Sequence, residues 1–174
     1  MREYTFASLK LQTEAAAFLL ELAEPSDGWV DANIRILPET PFADFQFREV
    51  QSWMNRDDLG TLRDSIRQHI RNIREGPKGD VLDVIREIIR DDRKGGAKFR
   101  KLCLPLNMGF MITLLAGEAS AEGDGCFTAT ILVNAGLAGE DKSNGYFGFE
   151  AVVDFADAES FCAEIDAVLS RMGE

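Results

Sequence analysis

The sequence predicts an α+β fold, with a largely antiparallel β-sheet packed by about three helices. Three observations carry this. Apolar and polar residues alternate through residues 4–50, the period turns helical across about 56–92, and alternation returns from 101 before one closing helix. Strands and helices in separate blocks indicate α+β rather than a doubly wound parallel sheet. No linker is long enough to divide the chain, so 1–174 reads as a single domain.

The first strand spans 4–11, "YTFASLKL". "AAAFLLELAE" (15–24) has helix-favouring alanines, but its length and the turn "EPSDG" suit a strand paired with the first. In "GWVDANIRILPE" (28–39), Val30, Ala32, Ile34 and Ile36 point one way while Asp31, Asn33 and Arg35 point the other. That is a half-buried antiparallel strand, ended by Pro38 and Pro41. "FADFQFREV" (42–50) gives a further strand, with Phe45 and Phe47 on one face.

A helix follows, capped by Asn55, Asp57 or Asp58. Its seam is Leu59, Leu62, Ile66, Ile70 and Ile73, spaced 3, 4, 4 and 3. "EGPKG" stops it. A second helix is expected at 80–92, with Asp80 as cap and a wide apolar arc, and "RKGGAK" (93–98) is a joint. Strands are expected at 101–106, 109–117, 126–136 and 146–155, separated by the glycine-rich turns "EASAEGDG" and "LAGEDKSNG". Asp157 is expected to cap a final helix, about 158–172, lined by Phe161, Ile165, Val168, Leu169 and Met172.

The formal net charge is −11, unevenly placed. Residues 1–50 carry −5, residues 51–101 carry +4, and residues 102–174 carry −10. An acidic average surface repels phosphates, so nucleic acid is not an expected partner. No run approaches the roughly 20 apolar residues that span a bilayer, and no secretory signal is read at the N-terminus. Cys103, Cys126 and Cys162 are odd in number and widely spaced. They read as buried apolar residues of a cytoplasmic protein.

Catalytic signatures are missing. His69 is the single histidine, beside the seam of the first helix, and no nucleophile motif accompanies it. It reads as a partly buried or surface residue. Three scattered cysteines and one histidine do not supply zinc spacing. "EGDGCF" lacks the alternating acids of a calcium loop, and neither "NGYFGF" nor "RKGGAKF" matches a phosphate cradle. No enzyme activity, cofactor or metal is therefore expected.

The segment "TLRDSIRQHIRNIR" places Arg63, Arg67, Arg71 and Arg74 each one residue after a seam position. One residue is 100° of helix, so they form a stripe beside the buried edge. Three roles compete: a solvated flank, pairing with the acidic C-terminal part, or capture of an anion.

"GWVDANIRI", followed by "TPFADFQFREV" and "RDDLGTLRDSIRQHI", resembles the WapI-type immunity proteins, bacterial antidotes to contact-dependent toxins. Asp31-Ala32-Asn33 anchors the likeness, with Leu59 and Leu62 on the helix. "FGFEAVVDFADAESFCAEIDAVL" resembles the closing strand and helix. Ile34 stands where the family tends to place tryptophan, Trp29 precedes the motif, and "DDRKGGAKFRK" looks like an insertion. The resemblance implies a non-catalytic binding protein that neutralises a toxin domain. An acidic surface would cover a basic groove by complementary charge. Candidate contacts are Asp27, Asp31, Asp44, Glu122, Asp124, Glu140 and Asp141. Asp31 and Asn33 have an alternative structural reading. A homo-oligomer joined through 80–92, and a small-ligand pocket under the sheet, are the competing functions.

Overall fold

The computed structural model of the chain describes residues 3–39, 49–76, 101–103, 109–134, 136 and 145–172. The order is β1 (Ala7–Gln12), β2 (Ala16–Leu22), β3 (Trp29–Pro38), β4 (Val50–Asn55), α1 (Arg56–Arg74), β5 (Lys101–Cys103), β6 (Phe110–Ala119), β7 (Gly125–Asn134), β8 (Tyr146–Asp154) and α2 (Phe155–Arg171). The strands form two four-stranded sheets in sequence order, β1-β2-β3-β4 and β5-β6-β7-β8. Every pairing is antiparallel. The α+β class holds.

The alternation sets which face each strand buries. Val30, Ala32, Ile34 and Ile36 of β3 are buried, as are Val50, Ser52 and Met54 of β4. β2 carries Phe18, Leu20 and Leu22 into the same core. From the second sheet come Phe110, Ile112, Leu114, Phe127, Ala129, Ile131, Val133 and Val153. The apolar sides of both sheets and both helices join in one core cluster. Phe18 and Phe110 touch across it, with ring centroids 5.0 Å apart. At Gly109 the sheets approach closely, for a Cβ there would lie 2.3 Å from the Ser52 Oγ.

α1 starts where the capping chemistry places it. The Asn55 side chain accepts from the Asp58 N–H, and the Asp58 carboxylate accepts from the Asn55 N–H, each at 2.9 Å. Leu59, Leu62, Ile66 and Ile70 are buried, and Ile73 packs at the core's edge. In α2 the buried positions are Phe155, Ala158, Phe161, Cys162, Ile165, Val168 and Leu169. The helix lies along β1, whose edge it covers: the Lys10 N–H donates to Glu164 Oε2 at 2.8 Å. The β1–β2 hairpin meets the other sheet where the Glu14 N–H donates to the Val152 carbonyl at 3.2 Å.

Several expectations change. The ambiguous 15–24 segment is a strand, but β4 lies at 50–55, beyond the 42–50 expected. Residues 42–48 fall outside the described residues, as does the whole 80–92 helix. Two helices, not three, are therefore seen among the described residues. Asp154 rather than Asp157 occupies the N-cap of α2, and its side chain makes no capping bond. Burial of Phe155 starts the helix early, and Asp157 sits in the first turn, where the helix dipole favours an acid.

His69 also differs from expectation. It is 1% exposed, and its Nε2 lies 2.7 Å from the Leu115 carbonyl. A carbonyl only accepts, so Nε2 carries the proton. Leu115 lies within a register shift of the β6–β7 ladder, between Leu114 and Gly117. There the histidine donates to a carbonyl of the irregular stretch. Its ring stands edge-on to Phe127 at 5.2 Å.

Candidate protein-binding surface

The outward face of β3 and β4 is a small grid fixed by register. Trp29 pairs with Asn55, Asp31 with Trp53, and Asn33 with Gln51. Trp29 and Trp53 are therefore diagonal neighbours, whose Cβ atoms stand no more than about 7–8 Å apart. Both remain open to solvent, at 43% and 47% exposure. Neither belongs to the core cluster. Asp31, half-buried, lies on the same face, directly opposite Trp53.

The next part of the face is bound up internally. Asn33 Nδ2 donates to Glu21 Oε2 at 2.8 Å, and Arg35 meets Glu21 at 3.2 Å and Glu49 at 3.5 Å. Asn33, only 4% exposed, is thus a structural residue of the sheet's outer layer, bonded to a side chain rather than to backbone. Above Trp29 the chain turns tightly. Asp27 adopts φ +52° and Gly28 φ +79°, while Ser26 and Trp29 exchange backbone hydrogen bonds at 2.8 and 2.9 Å. Aspartate tolerates the left-handed region, and the turn leaves its carboxylate exposed. Because β4 runs straight into α1, this end of the sheet also borders exposed Arg56 and Asp57.

Glu122 and Asp124 lie elsewhere. They are exposed in the β6–β7 turn, which is held to the far end of α1 by Arg74. Arg74 Nε donates to the Gly123 carbonyl at 2.8 Å. With 19 residues, α1 is about 28 Å long. The expected acidic contacts therefore divide between two ends of one helix. Asp44, Glu140 and Asp141 lie outside the described residues.

No family model matches the chain, and no curated protein matches it.

The arginine stripe has an answer in α2. Arg63 Nη1 meets Asp166 at 2.8 Å, Arg67 binds the other oxygen of the same carboxylate, and Arg74 meets Glu159 at 2.6 Å. Arg63 also meets Asp64 at 2.8 Å. Arg74 additionally lies 5.0 Å from the Phe155 ring centroid. Three of the four arginines thus clamp the helices together, which is the pairing role, one of the three that competed in the sequence. Burial pushes the Asp166 carboxyl up, but hydrogen bonds and charge from Arg67 and Arg63 outweigh it and hold the group below its ordinary range. Arg71 is exposed at the rim of a groove it shares with Arg67, Arg74, Glu75 and Glu159.

Cys162 is fully buried, and burial pushes its thiol up to about 11. Cys126 is half-buried, its thiol raised by burial and by Glu118, Asp154 and Glu14. Among the described residues no three His, Cys, Asp or Glu side chains group as a metal site would require. No helix among them is long and apolar enough to cross a membrane.

The residues that sequence reasoning passed over are Trp29 and Trp53. The signal was present for Trp29, which shares parity with Asp31, Asn33 and Arg35 on a strand whose other parity is apolar. Trp53 lies in β4, in a stretch to which the sequence reading assigned no element.

Proposed function

We propose that the chain is a non-catalytic binding protein of the immunity or inhibitor kind. In this reading it sits in the bacterial cytoplasm and neutralises a toxin domain by laying an acidic face on that domain's basic surface. One observation carries the reading: two half-exposed tryptophans, diagonal neighbours in register on one sheet face, with Asp27 and Asp31 nearby in the same strand and its turn. Tryptophans that serve no core are costly in water, and interfaces draw much of their affinity from such side chains. Carboxylates around them speed and orient encounter with a cationic partner. The net charge of −11 extends the same field over the molecule.

The test is capture of the tagged protein from its own cells, followed by native mass spectrometry and an assay of the captured partner. The expected result is a one-to-one complex with a basic domain of a large secreted protein, weakened by salt, whose toxic activity is suppressed in the complex. Trp29→Ala with Trp53→Ala should weaken it at least tenfold. A partner that binds the double variant unchanged removes this face. A self-dimer that buries the tryptophans assigns the face to a second copy instead.

A further inference from the structure

We infer that the outer edge of β8 pairs with β8 of a second copy of the chain, antiparallel and centred on Gly148, and so joins two four-stranded sheets into one. β8 lies in the other sheet from Trp29 and Trp53, so this contact is separate from the tryptophan face.

Two hydrogen bonds fix which way the backbone of β8 points. The Asn134 N–H donates to the Gly109 carbonyl, on the β6 side of β7, at 2.9 Å. Even-numbered residues of β7 therefore turn their polar groups toward β6, and odd-numbered ones turn theirs toward β8. Phe147, Phe149, Ala151 and Val153 are the partners of Val133, Ile131, Ala129 and Phe127, and their N–H and C=O groups serve that ladder. Tyr146, Gly148, Glu150 and Val152 point theirs the other way. Val152 agrees, for its carbonyl accepts from the Glu14 N–H of the β1–β2 hairpin at 3.2 Å.

A strand edge of this kind is a template for a further strand. The fold covers the edge of β1 with α2, where Glu164 accepts from the Lys10 N–H. On β8 the hairpin meets Val152, and a pocket lined by Glu14, Ala15, Glu150 and Val152 marks where it leaves the strand. From Tyr146 to Glu150 no further strand follows among the described residues, since β8 ends the order of its sheet. Tyr146 and Glu150 are exposed at the two ends of this stretch.

The side chains name the occupant, because the stretch is complementary to itself. An antiparallel copy centred on Gly148 sets Gly148 opposite Gly148, and symmetry sets Tyr146 opposite Glu150 of the other copy at both ends. Every outward residue from Tyr146 to Glu150 then exchanges both of its backbone hydrogen bonds. Residues directly opposite stand about 4.5–5.5 Å apart at Cβ, where a neutral hydroxyl donor suits a carboxylate. The Thr130 hydroxyl already donates to Glu150 at 2.8 Å, which holds the carboxylate on this face with acceptor capacity to spare. Gly148 brings no side chain to the axis. Moving the centre to Glu150 would set two carboxylates opposite each other, so charge selects the Gly148 register.

The experiment follows the full chain by sedimentation equilibrium and by residue-resolved hydrogen exchange over a range of concentrations. The mass should rise to that of two chains. The amides of Tyr146, Gly148 and Glu150 should gain protection with concentration, while those of Phe149 and Ala151 are protected throughout. Tyr146→Glu sets like charges opposite each other at both ends and should weaken the dimer about tenfold. Combining it with Glu150→Lys makes both pairs opposite in charge and should restore the dimer. Both positions are exposed, so circular dichroism should show both variants folded. A mass of one chain at millimolar concentration, a dimer that Tyr146→Glu leaves unchanged, or no rescue by the second substitution would each overturn the inference. So would a captured toxin domain that protects the same amides in a chain that otherwise stays monomeric, which would assign the edge to that partner and leave the toxin-binding reading standing.

Discussion

Asp166 holds Arg63 and Arg67 at once, and Asp166→Asn removes the shared charge while nearly keeping the shape. The side chains are 23% exposed at Arg63, 42% at Arg67 and 40% at Asp166, so solvent screens the pairs. Pairs of that kind contribute about 0.2–1 kcal/mol each, which gives about 0.4–2 kcal/mol for the two. In a chain of this size, about 1 kcal/mol moves the melting temperature by about 2–4 °C. Urea unfolding at neutral pH should show the loss at low salt and a smaller one at high salt. A double-mutant cycle of Asp166→Asn with Arg67→Gln should return a favourable coupling.

The pH dependence has a definite sign. The native carboxyl is held below its ordinary range, so its contribution is complete above that range and is lost as pH falls through the depressed native value. Wild type and variant should therefore converge in strong acid. No loss at low salt, or a difference that persists in strong acid, would refute the clamp. A loss well above about 3 kcal/mol would mean that the pairs behave as buried ones.

Three further outcomes are expected. Asn55→Ala, which opens the capping box of α1, should cost about 1 kcal/mol in urea unfolding without changing the m value. In a Cys103→Ser background, a thiol reagent at pH 8 should modify Cys126 first and reach Cys162 only on unfolding, because Cys162 is buried and its thiol is raised to about 11. Equal rates would contradict that burial. Gly148→Ala should destabilise markedly, since a Cβ there would lie 1.8 Å from the Ile131 carbonyl oxygen and the β7–β8 ladder would have to shift. A melting temperature within a degree of wild type would show that the ladder yields freely.

Much was legible in the sequence alone. Period-two alternation chose the buried side of β3, and the 3-4-4-3 seam and Asn55 set the face and start of α1. These are local properties, because a strand or helix carries its apolar side in its own spacing. The charge imbalance offered pairing with the C-terminal part as one of three roles for the arginines.

Tertiary structure decided which faces meet. Arg63 finds Asp166 across 103 residues of sequence, and His69 finds the Leu115 carbonyl across 46. Nothing in a local period encodes such a partner. The same limit governed the candidate site. Exposed acids look alike in a sequence, and only the register of β3 on β4 brought Asp31 beside Trp53 while the length of α1 set Glu122 and Asp124 apart from them. Parity shows that a residue faces outward, whereas the pairing of separate strands determines which neighbours it has there.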